Sequence, residues 1–98
     1  MRLGTVIGRV TLHQQEPVYT GGHLLIVQPF SPAQFAGAAA MPLAPGSSVV
    51  GFDPLGADDG SIVGFTEGAE ASQPFDGPAP VDAYVACIVN RINYDPPR

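Results

Sequence analysis

No lysine occurs anywhere in the 98 residues, and the only fixed side-chain cations are Arg2, Arg9, Arg91 and Arg98. Nine carboxylates set against them give a formal net charge of −5. Nucleic-acid binding takes most of its affinity from neutralised phosphates, so this chain repels a polyanion unless its few arginines converge in space. Anionic membrane surfaces are disfavoured for the same reason. Tryptophan is absent, and Cys87 is the single cysteine, so no disulfide forms within the chain. Cys87 lies mid-strand between Val85 and Val89 and reads as a buried, inert thiol rather than a nucleophile. No apolar run approaches the ~20 residues that span a bilayer. No basic segment leads into an apolar stretch with a small-residue cleavage site. The expectation is one soluble domain over residues 1–98, in a reducing cytoplasm.

Long helices are also missing from the pattern. Twelve glycines and eleven prolines interrupt the chain too often for a helical bundle. A hydrophobic share of 45% is too high for disorder. Short strands joined by turns remain. Five are predicted: Arg2 to Leu12, His23 to Gln28, Ser48 to Asp53, Ser61 to Phe65, and Asp82 to Ile92. Residues 13–22 are a connection ending in the turn signal Thr20-Gly21-Gly22. Residues 29–47 form a surface excursion in which Ala33 to Met41 has the composition of a short helix, weakened by Gly37 and bounded by prolines. Glu67 to Ser72 suits a single helical turn, and residues 73–80 a loop.

The first strand places Gly4, Val6, Gly8, Val10 and Leu12 on one face if it alternates strictly, with Arg9 pointing outward. Two glycines on one face of a strand cost packing and backbone entropy. They are useful where the strand bends or another backbone comes very close, as in a small closed barrel. The second and fifth strands do not alternate. Leu24 and Ile26 oppose Leu25 and Val27; Tyr84, Ala86 and Ile88 oppose Val85, Cys87 and Val89. Apolar residues on both faces need a second cover, either the chain's own excursion and turns or a neighbouring subunit in a closed ring.

Four segments, in order and in register, carry a resemblance. Met1-Arg2-Leu3-Gly4-Thr5-Val6-Ile7-Gly8-Arg9-Val10 resembles the opening of the bacterial microcompartment vertex proteins, the pentameric shell proteins of the carboxysome-vertex and ethanolamine-utilisation type. Glu16-Pro17 followed by residues 22–29, the segment Gly56-Ala57-Asp58-Asp59-Gly60-Ser61-Ile62-Val63, and residues 80–90 resemble the family's later segments. The resemblance implies an all-β fold: a small five-stranded OB-like barrel with short helical turns, assembled as a cyclic oligomer. It implies a non-enzymatic pentamer that caps the vertices of a polyhedral shell and abuts hexameric shell proteins. It also implies an axial pore lined by Gly56, Ala57, Asp58, Asp59 and Gly60. Many relatives read Gly-Ala-Gly-x-Gly-Glu here, so Asp58 and Ser61 are departures. Two readings of the aspartates stand together: an acidic collar that attracts cations, and a tight turn.

Other chemistry is thinly supported. Asp53, Asp58 and Asp59 lack the spacing and terminal glutamate of a calcium loop. His13 and His23 lack zinc-ligand spacing. Ser47, Ser48 and Ser61 lack a nucleophile-elbow frame. No catalytic residue, metal or cofactor is expected. Tyr19, Tyr84 and Tyr94, with the phenylalanines, leave one alternative: an OB-like module for an oligonucleotide or oligosaccharide. The missing lysines count against it. Arg9 and Arg91 are candidates to pair with Glu16, Glu67, Glu70 or Asp82.

Overall fold

The structure, a computed structural model, describes residues 1–12, 15, 17–30, 48–75, 77 and 79–93. Strands β1 (Arg2–Val10), β2 (His23–Pro29), β3 (Val49–Asp53), β4 (Ile62–Glu67) and β5 (Ala83–Val89) form a closed barrel in the order β1-β2-β3-β5-β4. All neighbours are antiparallel except β3 and β5, which are parallel and registered through the single pair Phe52 and Tyr84. Closure removes the free sheet edges that would otherwise invite aggregation. Each expected strand is present, with ends shifted by a few residues. The turn expected at 67–72 is a 3-10 helix, Gly68–Ser72. A second, unexpected 3-10 turn covers Pro17–Tyr19. The candidate helix at 33–41 lies outside the described residues.

The side chains that fill the barrel are Val6, Leu25, Val27, Val63, Phe65 and Val85, with Ala57 and Ala83 in the gaps. Burying a Val, Leu or Phe side chain fully contributes about 1.5–3 kcal/mol. The small barrel has little room for backbone plus side chain where β1 meets β2. A methyl group on Gly4 would lie 2.6 Å from Val27 Cγ1 and 2.8 Å from the Gln28 carbonyl oxygen. Gly4 is therefore a close-approach glycine, as the sequence suggested.

Strict alternation along β1 is not what forms. Val6 pairs with Val27, but the next pair is Gly8 with Ile26, so Ile7 is an extra residue in a β-bulge. The bulge moves every later residue to the opposite face. Arg9 now pairs with Leu25, a core residue, and so shares the inward face at the end of the barrel. Gly8 and Val10 leave the face of Val6. This corrects the placement of Gly8, Val10 and Arg9 expected from sequence. A second bulge interrupts β5, where Phe65 pairs with Val85 and Gly64 with Cys87, leaving Ala86 extra. Cys87 is half-buried instead of buried.

Outside the barrel, a second cluster joins Phe52, Ala71 and Val81 to Tyr19, Leu24, Phe75, Ala79 and Tyr84. Phe52 stands at its centre. It stacks on Tyr19 at 6.1 Å and Tyr84 at 6.0 Å between ring centroids, and Phe75 meets it edge-on at 5.3 Å. The Tyr19 hydroxyl donates to the Pro80 carbonyl at 2.6 Å, tying the first 3-10 turn to the segment that leads into β5. Thus the chain itself covers part of the outer apolar surface of β2, β3 and β5. The cover is incomplete: Val50 is 51% exposed on β3, Leu55 50% in the loop after it, and Ile88 47% near the end of β5. At the opposite end of β1, Arg2 bonds Glu67 at 2.8 Å and lies 5.8 Å from the centroid of the Phe65 ring. Both partners are solvent-exposed, so the ion pair contributes at most about 1 kcal/mol.

Candidate functional site: the glycine-rich loop

The segment Pro54 to Ser61 links β3 to β4 and is built around one carboxylate. Asp53, the last residue of β3, is fully buried. Its Oδ1 accepts the Leu55 N–H at 2.8 Å. Its Oδ2 accepts the N–H groups of Gly56 at 3.1 Å and Ala57 at 2.7 Å. A buried charge is costly unless hydrogen-bonded, and here successive backbone donors supply the bonds. Such a wrap needs an unusual backbone, and Gly56 provides it with φ +88°. The curl delivers Ala57, 1% exposed, into the barrel core.

Past Ala57 the chain makes a tight turn. The Ser61 N–H donates to the Asp58 carbonyl at 3.0 Å, and the Asp58 N–H donates to Ser61 Oγ at 3.2 Å. Gly60 holds φ +88° at the third position while Asp59 does not leave the ordinary region, which defines a type II turn. The tight turn expected at the aspartates is present, and the glycine, not either aspartate, takes the left-handed conformation. The turn is stitched to β1, because the Gly60 N–H donates to the Val6 carbonyl at 2.8 Å and the Val6 N–H donates to the Ser61 carbonyl at 2.9 Å. Asp58 and Asp59 are exposed at its tip. Of the five candidate pore residues, then, four lie exposed on one loop, and the Ala57 side chain points into the core.

Arg9 reaches the same loop. Its Nη2 donates to the Ala57 carbonyl at 3.4 Å. Sequence reasoning missed this contact because it depends on the bulge at Ile7. Of the acids suggested as partners for Arg9 and Arg91, Glu67 pairs instead with Arg2. Arg91 is exposed, and His23 is exposed at the start of β2. His13, Glu16 and Tyr94 lie outside the described residues. Asp53, whose sequence context lacks the spacing of a calcium loop, has its oxygens engaged by the loop's own N–H groups. Among the described residues no group of three or more His, Cys, Asp or Glu side chains is placed to hold a metal. No helix among them is long and apolar enough to cross a membrane.

A family model described as ethanolamine utilisation protein EutN/carboxysome matches residues 1–90. The chain belongs to the EutN/CcmL family. Its fold agrees with solved members. The CcmL structure from Gloeobacter violaceus is 30% identical, with a TM-score of 0.75, covering 97% of this chain and 91% of that one. The GrpN pentameric microcompartment shell protein from Rhodospirillum rubrum is 29% identical, with a TM-score of 0.74, covering 97% of this chain and all of that one. EutN from Escherichia coli is 26% identical, with a TM-score of 0.75, covering 96% and 89%. A comparison with curated proteins gives no match. EutN/CcmL membership makes this a structural microcompartment shell protein and not an enzyme. It also disfavours the nucleotide- or sugar-binding alternative. Tyr19, Phe52, Phe75 and Tyr84 pack on one another, so the aromatic surface a base would need is largely used internally.

Proposed function

We propose that the chain is one vertex-type domain that forms a pentamer, caps the corners of a microcompartment shell, and lines the pentamer's axis with Gly56, Asp58, Asp59 and Gly60, the exposed residues of the loop. The observation that carries the reading is the family match over residues 1–90 on a barrel that agrees with a pentameric shell protein along its full length. Geometry supplies the reason for such a part. A sheet of six-fold tiles is flat, and five-fold units give it the curvature that closes a container. A ring is built from one heterologous contact repeated, so each subunit needs two different sticky surfaces. Val50 and Ile88, both apolar and exposed on separate strands, suit that requirement. Hexameric shell proteins are the partners at the outer rim. Native mass spectrometry tests the assembly: the expected species is a pentamer, and a monomer at micromolar concentration would overturn the reading.

Repetition around an axis turns the exposed Asp58 and Asp59 into a ring of carboxylates. Rings of this kind attract cations and repel anions. In shells assembled with this protein at the vertices, Asp58→Gly together with Asp59→Gly is expected to reduce cation preference in conductance or flux measurements. Unaltered preference would leave the pair as a turn and nothing more.

A further inference from the structure

We propose that the groove at the loop end of β1 and β2 binds a compact oxyanion, a small phosphate- or carboxylate-bearing molecule, through Arg9 and His23. The groove has a volume of about 170 Å³, and Arg9, Thr11, Gln15, Tyr19 and His23 supply its polar lining. That is room for a phosphate group with a short stem and not for a polymer.

Register explains why the two basic side chains converge. Arg9 pairs with Leu25 across the strands, and His23 precedes Leu25 by one alternation on the same face. Diagonal neighbours of this kind have backbones about 7–8 Å apart, within reach of long side chains. The bulge at Ile7 is what brings Arg9 to that face.

Among the described residues, Arg9 is the one guanidinium in the groove's lining, and it is not spent on an acid. The formal net charge is −5, and Asp53 stands opposite His23 across β2 and β3, but its two oxygens are turned to the N–H groups of Leu55, Gly56 and Ala57, and no carboxylate occurs among the described residues that line the groove. Arg2 is neutralised by Glu67. Arg9 forms no ion pair among the described residues, and its bond to the Ala57 carbonyl is long at 3.4 Å. A guanidinium presents five N–H donors in a fork that matches carboxylate and phosphate geometry. Charge-assisted bonds to an oxyanion are shorter and stronger than the carbonyl contact they would replace. The Tyr19 hydroxyl donates to Pro80, so it braces the wall instead of contacting the ligand. Thr11 and Gln15 add neutral donors.

The test titrates the intact oligomer at constant ionic strength with inorganic phosphate in one arm and malonate in the other. Nuclear magnetic resonance follows the Arg9 side-chain N–H and His23 ring signals. Saturable shifts at both residues are expected with at least one anion, and the arm that saturates tells phosphate from carboxylate chemistry. Ala57 amide signals should move with them, because Arg9 leaves its carbonyl. Arg9→Gln is expected to weaken binding about tenfold or more. Arg9→Lys, which keeps charge without the fork, should weaken it less. Arg91→Gln removes an exposed arginine elsewhere and should change nothing. Arg9 is exposed, so the fold should survive its replacement; if it does not, His23→Gln makes the same decision. Absence of saturation in both arms would overturn the site. So would equal binding by Arg9→Gln, or an equal loss in Arg91→Gln, which would reveal diffuse charge screening.

Discussion

Asp53→Ala should lower the unfolding free energy by about 3 kcal/mol or more, a large share of the stability of a small domain. The substitution removes the acceptor for three backbone N–H groups, those of Leu55, Gly56 and Ala57. Hydrogen bonds to a charged group contribute roughly 1.5–3 kcal/mol each, and donors left buried without an acceptor add their own penalty. Water entering the loosened loop recovers part of that, so simple addition would overstate the loss. The damage should extend to the core, since Ala57 is seated there by the curl that Asp53 holds. Asp53→Asn keeps one acceptor oxygen and should cost less, about 1–2 kcal/mol. Urea denaturation checks both through the midpoint at unchanged slope. Amide exchange at residues 55–57 should quicken in the alanine variant. An alanine variant within about 1 kcal/mol of wild type would show that the carboxylate is not what shapes the loop.

Gly4→Ala should destabilise by about 2 kcal/mol, in the direction opposite to the usual effect of adding a methyl group to a strand. Glycine in a regular strand ordinarily costs roughly 0.5–1 kcal/mol relative to alanine through its backbone entropy. At Gly4 that gain is outweighed by overlap, because the added carbon would lie 2.8 Å from the Gln28 carbonyl oxygen. A backbone atom cannot step aside as the end of a flexible side chain can, so β1 and β2 must separate. Gly51→Ala is the internal control. The nearest atoms to a methyl there belong to Ala83, at 3.6 to 3.8 Å, an ordinary contact distance. It should be neutral or gain up to about 0.5 kcal/mol. Thermal unfolding of the two variants side by side decides the matter. Equal stabilities would mean that tight strand approach does not explain the glycine in β1.

The strands were readable because their cause is local: β-branched and apolar runs between glycine and proline turns. The closed barrel was suggested by Gly4 and Gly8 read as two glycines on one face; Gly4 does lie against the neighbouring backbone, whereas the bulge puts Gly8 on the other face, against the Ile26 side chain. The bulges at Ile7 and Ala86 were not readable. Each depends on how many residues the partner strand offers across the ladder, and nothing within β1 or β5 marks the extra one. The cost of that gap was specific. A single added residue reversed the side of Arg9 and hid both its bond to Ala57 and its neighbour His23. The loop was half legible. Gly56 and Gly60 announced turns, but the role of Asp53 required knowing that β3 ends with its carboxylate inside. The outer aromatic cluster was expected only in outline, since chain cover and subunit cover leave the same apolar pattern in β2 and β5.

The Asp53 clasp has a consequence for how this part can change over time. Because the bend is secured from beneath by an acid that never meets the outside, the tip residues are free of structural duty: neither aspartate side chain supports the turn among the described residues. The two outermost letters can therefore be rewritten without refolding the frame that presents them. If the tip lines the axis as proposed, a lineage in possession of such a frame can alter that lining one substitution at a time, while the corner piece itself stays the same shape.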